Sequence, residues 1–276
     1  MITTRELLGS GAERLAAAGI GSAAVDARLL LEHCLGVRHN ALILVDDVDT
    51  AAAMAYEDAL GRREQREPLQ HIVGTAPFRY LDVAVGPGVF IPRPETELLV
   101  DEILPHVGAG DVVVDLCSGS GALALALAHE VPDLDVVAVE SDPEALVWLR
   151  RNATMVPVRV ESADVTSGPV LASLTGRVAA VVSNPPYVPA STPVAPEVGA
   201  DPPVAVFAGP DGLEVIPSVI DRAGELLRSG GVLAIEHDES HLDAVPDLLL
   251  ATGRWRDVRC ERDLAGRPRY CVAFRR

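Results

Sequence analysis

Basic residues are in short supply in this chain of 276 residues: 23 lysines and arginines stand against 40 aspartates and glutamates, a formal net charge of −17. Nucleic-acid binding depends on clustered cations that neutralise phosphates, so this balance disfavours DNA or RNA as a direct partner. Arginines do gather at Arg62, Arg63 and Arg66 and again between 254 and 269, but the first group sits where a helix would end, and both read as solvated faces. Long apolar runs are missing as well. None reaches the ~18 residues that would span a bilayer, and the start, Met1-Ile2-Thr3-Thr4-Arg5-Glu6, lacks the basic-then-apolar pattern of a signal peptide. Cysteine is sparse: Cys34, Cys117, Cys260 and Cys271 stand far apart without metal-type spacing, which predicts free thiols, no bound metal and a reducing, cytoplasmic setting.

What remains is a chain long enough to bury a large core, with 49% hydrophobic residues, and it reads in three parts. Residues 1–72 carry apolar side chains at helical spacing, Leu7, Leu8, Leu15 and Ile20, then Val25, Leu29 to Leu31, Cys34 and Leu35. Further helical stretches near 41–45 and 51–66 complete a small bundle with no chemical residues of its own. In residues 73–91, the segments 78–85 and 89–91 flank Gly86-Pro87-Gly88 and predict a β-hairpin. Pro92-Arg93-Pro94 then opens a helix over about 95–106. Residues 92–276 alternate strand and helix, as a parallel sheet requires, with strands at 112–116, 136–139, 156–160, 178–183 and 231–236. A final antiparallel pair is expected near 258–260 and 270–274.

The fourth of these strands runs into Asn184-Pro185-Pro186-Tyr187. An amide or exocyclic amine nitrogen shares its lone pair with its π system, so it is a poor nucleophile until its N–H groups are held by acceptors. The Asn184 side-chain oxygen and the Pro185 carbonyl are two such acceptors. Two prolines stiffen the turn, and Tyr187 offers a flat face and a hydroxyl. An ordinary turn would use the same residue types. The reading gains force from upstream, where Val112 to Leu116 breaks into Cys117-Ser118-Gly119-Ser120-Gly121 and a helix. The third glycine of a dinucleotide fingerprint is missing, and Asp115 stands where it can meet a cation, which suits S-adenosylmethionine better than a pyrophosphate. Glu140, at the end of the second strand, is an acid where ribose hydroxyls would be gripped. Asp164 and Val165, after the third strand, are placed to meet an adenine ring, and either is equally readable as a plain loop residue.

These segments resemble the peptide-chain release factor glutamine N5-methyltransferases, the HemK/PrmC family, over most of the chain. Pro68-Leu69-Gln70-His71-Ile72-Val73-Gly74, Phe90-Ile91-Pro92-Arg93-Pro94-Glu95-Thr96-Glu97 and the stretch from Arg262 to Tyr270 add to the resemblance. It implies an α/β class I S-adenosylmethionine-dependent methyltransferase fold, Rossmann-like, with a mostly parallel seven-stranded sheet behind the helical bundle and hairpin. It further implies methylation of the side-chain amide of the glutamine in the Gly-Gly-Gln motif of class-1 release factors, with S-adenosylhomocysteine as product. By position, Cys117, Ser118, Gly119, Ser120 and Gly121 resemble the methionine-binding turn, Glu140 the ribose acid, Asp164 and Val165 the adenine side, and Asn184, Pro185, Pro186 and Tyr187 the glutamine-binding loop. Residues 1–72 would dock the release factor, Arg93 and Glu97 would shape the pocket or pair with each other, and a monomer is expected. Cys117 stands where glycine is usual, Glu140 where aspartate is usual, and Asp238 where a glycine usually follows the histidine. The proline-rich segment 188–211 is expected to close over the methyl donor or guide the substrate loop inward. The rival reading, methylation of adenine or guanine amino groups in a nucleic acid, uses the same Asn-Pro-Pro-Tyr residues and is opposed by the acidic charge.

Overall fold

The computed structural model describes residues 2–37 and 41–276. They form two compact units, one comprising the chain up to Thr75 together with 195–200, the other 76–194 and 201–276.

In the first unit, α1 (Thr4–Ala17) starts at a reciprocal cap in which Thr3 accepts from the Glu6 amide and the Glu6 carboxylate accepts from the Thr3 amide. It packs with α2 (Ala23–Leu35), α3 (Thr50–Glu64) and the short α4 (Leu69–Val73), burying Leu7, Leu15, Leu30, Leu31, Tyr56 and Leu60. The stretch expected as a helix near 41–45 is a single tight turn, Leu42–Leu44. Two short strands, β1 (Ile2–Thr3) and β2 (Asp47–Val48), pair antiparallel, which the apolar pattern did not announce. The arginine group is not a solvated face: Arg63 is buried, 2.8 Å from Asp26 and 3.0 Å from Glu197, while Arg66 also meets Glu197 and Arg62 meets Glu67. These guanidiniums are neutralised inside the unit.

From Ala76 on, the second unit opens with most of β3 (Thr75–Phe78), which forms a hairpin with β4 (Leu81–Ala84). Its turn is at Arg79-Tyr80, not at Gly86-Pro87-Gly88 as expected. Arg79 takes φ 53°, a region costly for a side chain, and is pinned there: its amide donates to Glu97 and its guanidinium to Glu130 and Asp101. The glycines serve close approach instead. A Cβ on Gly86 would lie 2.5 Å from the Trp148 ring, whose Nε1 donates to the Pro87 carbonyl.

After α5 (Glu97–Ile103) comes the sheet: β5 (Val112–Leu116), α6 (Ala122–Glu130), β6 (Asp135–Glu140), α7 (Pro143–Asn152), β7 (Val158–Ser162), β8 (Val178–Ser183), α8 (Pro203–Val206), α9 (Ile216–Leu226), β9 (Leu227–Glu236), α10 (Ala244–Ala251), β10 (Trp255–Arg262) and β11 (Pro268–Arg275). The strand order is β10-β11-β9-β8-β5-β6-β7; β11 is antiparallel to both neighbours and the other pairs are parallel. This is the expected seven-stranded, mostly parallel α/β sheet. Its central strands are apolar on both faces because both faces are covered. Val113, Val136, Ala138 and Val182 join one core with Leu99, Leu125 and Leu146; Val114, Leu116, Val137 and Val181 join the other with Ile216, Leu226 and Trp255.

Two of the four cysteines depart from expectation. Cys260 and Cys271 stand directly opposite each other on β10 and β11 and are bonded, leaving Cys34 and Cys117 free. Spacing along the chain hid an antiparallel pairing that makes them neighbours. Among the described residues no helix is long and apolar enough to cross a membrane.

One buried side chain ties hairpin, helix and sheet together. Asn152, at the end of α7, accepts from the Ala84 amide at 3.0 Å and donates to the carbonyls of Ala84 and Ser120, each at 2.9 Å. Removing it leaves buried backbone groups without partners, at about 1–3 kcal/mol for the first and less for the rest. Asn152→Ala should therefore lower the unfolding free energy by about 2–4 kcal/mol in a urea titration.

Candidate functional site

The chain crosses from β5 to β6 and β7 on one side, then returns to place β8 on the other. That switch opens a crevice at the carboxyl ends of the strands, where open α/β sheets bind ligands. Register makes the ends level: Leu116 lies opposite Val139 and Ser183, and Ser183 opposite Ile235. The residues that follow, Cys117, Glu140, Asn184 and Glu236, therefore line one edge.

The turn after β5 is built from backbone bonds. The Ser118 amide donates to the Val139 carbonyl, the Gly121 amide to the Ser118 carbonyl, and the Ser118 hydroxyl to the Asp115 carbonyl. Cys117 has φ 61°, which explains in physical terms why glycine suits this position. Burial pushes its thiol well above the usual range, so it is no nucleophile at neutral pH. Gly119 has φ 55° with open space where a Cβ would stand, whereas a Cβ on Gly121 would lie 2.6 Å from Leu149. Ser120 is buried, and its carbonyl receives Asn152.

Asp115 shares the face of Val113, under α6. Its Oδ2 accepts from the Ala124 amide at 3.3 Å, while Oδ1 is buried with no partner. Burial pushes the carboxyl up to about 7, with Ser118 and the Ala124 amide opposing and Glu140 adding to the shift. Glu140 accepts from the amides of Gly119 (2.8 Å), Ser141 (2.7 Å) and Asp142 (2.8 Å). Its carboxylate thus braces the glycine turn with most of its lone pairs. Asp164 is exposed and spends both oxygens on Thr166 and Ser167, and Val165 packs into the second core.

A second cluster surrounds Asn184. Its Nδ2 donates to Thr96 Oγ1 at 3.1 Å; Thr96 donates to Glu236 Oε2 at 2.8 Å; the Tyr187 hydroxyl donates to Glu236 Oε1 at 2.7 Å. Pro185 is buried and Pro186 half-buried beside them. Burial raises the Glu236 carboxyl, while Tyr187, Thr96 and Arg269 favour its charge; Arg269 is itself held by Asp263 at 3.2 Å. Burial, then Glu236, pushes the Tyr187 phenol well above its usual value. Thr96 and Glu236 were not singled out as site residues from sequence. The signal was present, since Thr96 lies in the Ile91-to-Glu97 segment and Glu236 ends a strand, but only folding joins them. Arg93 and Glu97 do not pair: Arg93 bonds Asp201, and Glu97 serves the hairpin turn. Asp238 has φ −65°, an ordinary backbone that needs no glycine.

The segment 188–211 is anchored at its base, where the Val188 amide donates to the Val206 carbonyl and the Ala208 amide to the Val188 carbonyl. His237, Cys260 and Cys271 lie within 4.8 Å of one another, but the two sulfurs are bonded to each other and are not free thiolates that could hold a metal.

Two consequences concern the glycine turn. An acid whose folded-state pKa is raised binds its proton more tightly when folded. Its contribution to stability therefore falls as pH rises from about 4, the unfolded value, to about 7, and then levels off. Asp115→Asn should match the wild type near pH 4 and gain on it by pH 8, by on the order of 3 kcal/mol in chemical denaturation. Cys117→Gly should stabilise the fold by about 0.5–1 kcal/mol by removing a side chain from left-handed backbone, read as a rise in midpoint at unchanged slope.

Comparison with known proteins places this geometry in a lineage. Residues 6–74 match the PrmC N-terminal domain family, and residues 81–196 the Methyltransferase small domain family. A release factor glutamine methyltransferase of Mycolicibacterium smegmatis is 45% identical over 100% of this chain and 99% of its own length. One of Corynebacterium glutamicum is 46% identical over 99% of each. A methyltransferase structure from Pyrococcus furiosus, 19% identical with a TM-score of 0.55, covers 78% of this chain and 98% of its own and shares the fold. With full-length identity of this order, on a parallel sheet whose strand ends carry the glycine turn and Asn-Pro-Pro-Tyr, the chain belongs to the release factor glutamine methyltransferase family.

Proposed function

We propose that this protein transfers a methyl group from S-adenosylmethionine to the side-chain amide nitrogen of the glutamine in the Gly-Gly-Gln motif of class-1 release factors, supporting translation termination. The observation that carries the reading is the Asn184 amide. Its NH2 end is spent on Thr96, which leaves Oδ1 to accept from an incoming amino group at the crevice edge. The relatives' names supply the kind of amino group.

The residues fit the cofactor. Asp115 holds a buried oxygen without a partner, which suits a cationic or N–H donor, and Gly119 faces open space. Cys117 to Gly121 would hold the methionine part. Glu140 would meet ribose hydroxyls with whatever acceptor capacity its three amide bonds leave, and Val165, mostly committed to the core, would lie on the adenine side. When bound, S-adenosylmethionine supplies an electrophilic methyl group on a sulfonium.

The chain's own part is positioning. Asn184 Oδ1 accepts one substrate N–H and the Pro185 carbonyl the other, so the amide nitrogen is held with its remaining orbital directed along one line. The two prolines keep those acceptors fixed, and Tyr187, anchored by Glu236, gives the planar amide a surface to lie against. No strong base is needed beforehand, because the N–H becomes acidic once the nitrogen is alkylated. Residues 1–72, whose clustered arginines are paired within their compact unit, act in this reading as the docking unit for a protein substrate, and the enzyme works as a cytoplasmic monomer.

Labelled S-adenosylmethionine offered with purified release factor, RNA or DNA should label the release factor alone. Label on a nucleic acid instead would favour amino-group methylation of bases. Asn184→Ala should slow transfer by about 100-fold or more while cofactor affinity stays near wild type; an unchanged rate would remove Asn184 from the mechanism.

A further inference from the structure

We propose that Thr96 is a positioning residue for the transfer: its hydroxyl, oriented by the Glu236 carboxylate, sets which end of the Asn184 amide faces the substrate. This rests on the role given to Asn184 above.

A side-chain amide has two ends of nearly equal shape and opposite polarity. Only the oxygen end can accept from a substrate NH2, so a half-turn of Asn184 would set donor against donor. Proline stiffness does not prevent that half-turn, because it fixes backbone and leaves the last side-chain torsion free. Thr96 supplies the missing constraint. When ionised, Glu236 has no hydrogen to give, and the Thr96 O–H points to its Oε2, 2.8 Å away, as the Tyr187 O–H points to its Oε1. Thr96 Oγ1 then presents only lone pairs to Asn184, and the group facing it at 3.1 Å must be the NH2.

Glu236 is equally constrained. Its second oxygen takes the Tyr187 hydroxyl at 2.7 Å, so the carboxylate cannot rotate without losing a buried bond. Thr96 and Glu236 are 3% and 2% exposed, so water does not compete for these directions. Arg269 on β11 opposes the cost of a buried charge, and Glu95, beside Thr96, adds to it. The four groups come from the turn before α5, the ends of β8 and β9, and the Asn-Pro-Pro-Tyr loop. Their order of hydrogen-bond donation has one direction only: Asn184 to Thr96, and Thr96 and Tyr187 to Glu236.

Four variants test this against wild type, with kcat and KM for release factor and Kd for S-adenosylhomocysteine measured for each. Thr96→Ser keeps the hydroxyl and should stay within about threefold in kcat. Thr96→Val keeps the volume, loses the acceptor, and should lower kcat by about 10- to 100-fold with Kd unchanged. The double variant Thr96→Val with Asn184→Ala should be no slower than Asn184→Ala alone, because Thr96 acts only through Asn184. Wild-type kcat in Thr96→Val, a loss confined to Kd, or a double variant that multiplies the two single losses would overturn the proposal. A wild type that labels RNA or DNA instead of release factor would overturn the proposed substrate, and the same ratios would then be read on the nucleic acid it labels.

Discussion

The register of β5 against β6 and β8 is the constraint on which the rest of this molecule depends. Side chains alternate along a strand, so a slip of one residue would carry Asp115 from the face under α6 to the opposite core and bring Val114 and Leu116 under α6. Packing on both faces opposes such a slip, since Val113 and Val114 each sit in a complete apolar core. Because Leu116 is held level with Val139 and Ser183, the strands end together. The chemistry then falls to whichever residues come next. Cys117, Glu140 and Asn184 are neighbours only because three strands stop on one line.

That line was legible in the sequence, and for a physical reason. Strands covered on both faces are continuous apolar runs, so 112–116, 136–139 and 178–183 stand out from the helices around them. The signal weakens toward the sheet's edge. The third strand, expected at 156–160, lies at Val158–Ser162, where half-exposed residues blur the pattern. The hairpin turn differs from expectation because Gly-Pro-Gly advertises a turn, whereas Gly86 here admits Trp148, Gly88 admits Glu144, and the real turn uses Arg79, whose strain is offset by three acidic side chains. Nothing local marks that arrangement. The Cys260–Cys271 pair, the buried Arg63 and the link from Thr96 to Asn184 share this character. Each joins positions that are ordinary in isolation, and spacing along the chain carries no trace of the contact.

The two buried acids of the site show how one residue type serves opposite ends. Glu236 is closed: two hydroxyls and the field of Arg269 answer its charge within the protein, and its effect is to hold neighbours still. Asp115 is open: one oxygen takes a weak amide bond and the other has no partner, so burial dominates and the proton is held to about pH 7. A closed acid suits geometry that must not change between turnovers. An open one gains most from a donor that arrives with the ligand, because a hydrogen bond or positive charge there offsets a penalty the folded chain already carries. Left-handed Cys117, two residues along, adds strain to the same turn. The side of the crevice around Asp115 is therefore its least satisfied part and the side around Asn184 its most satisfied, and in the proposed reaction that difference would separate a surface that must bind and release from one that must only aim.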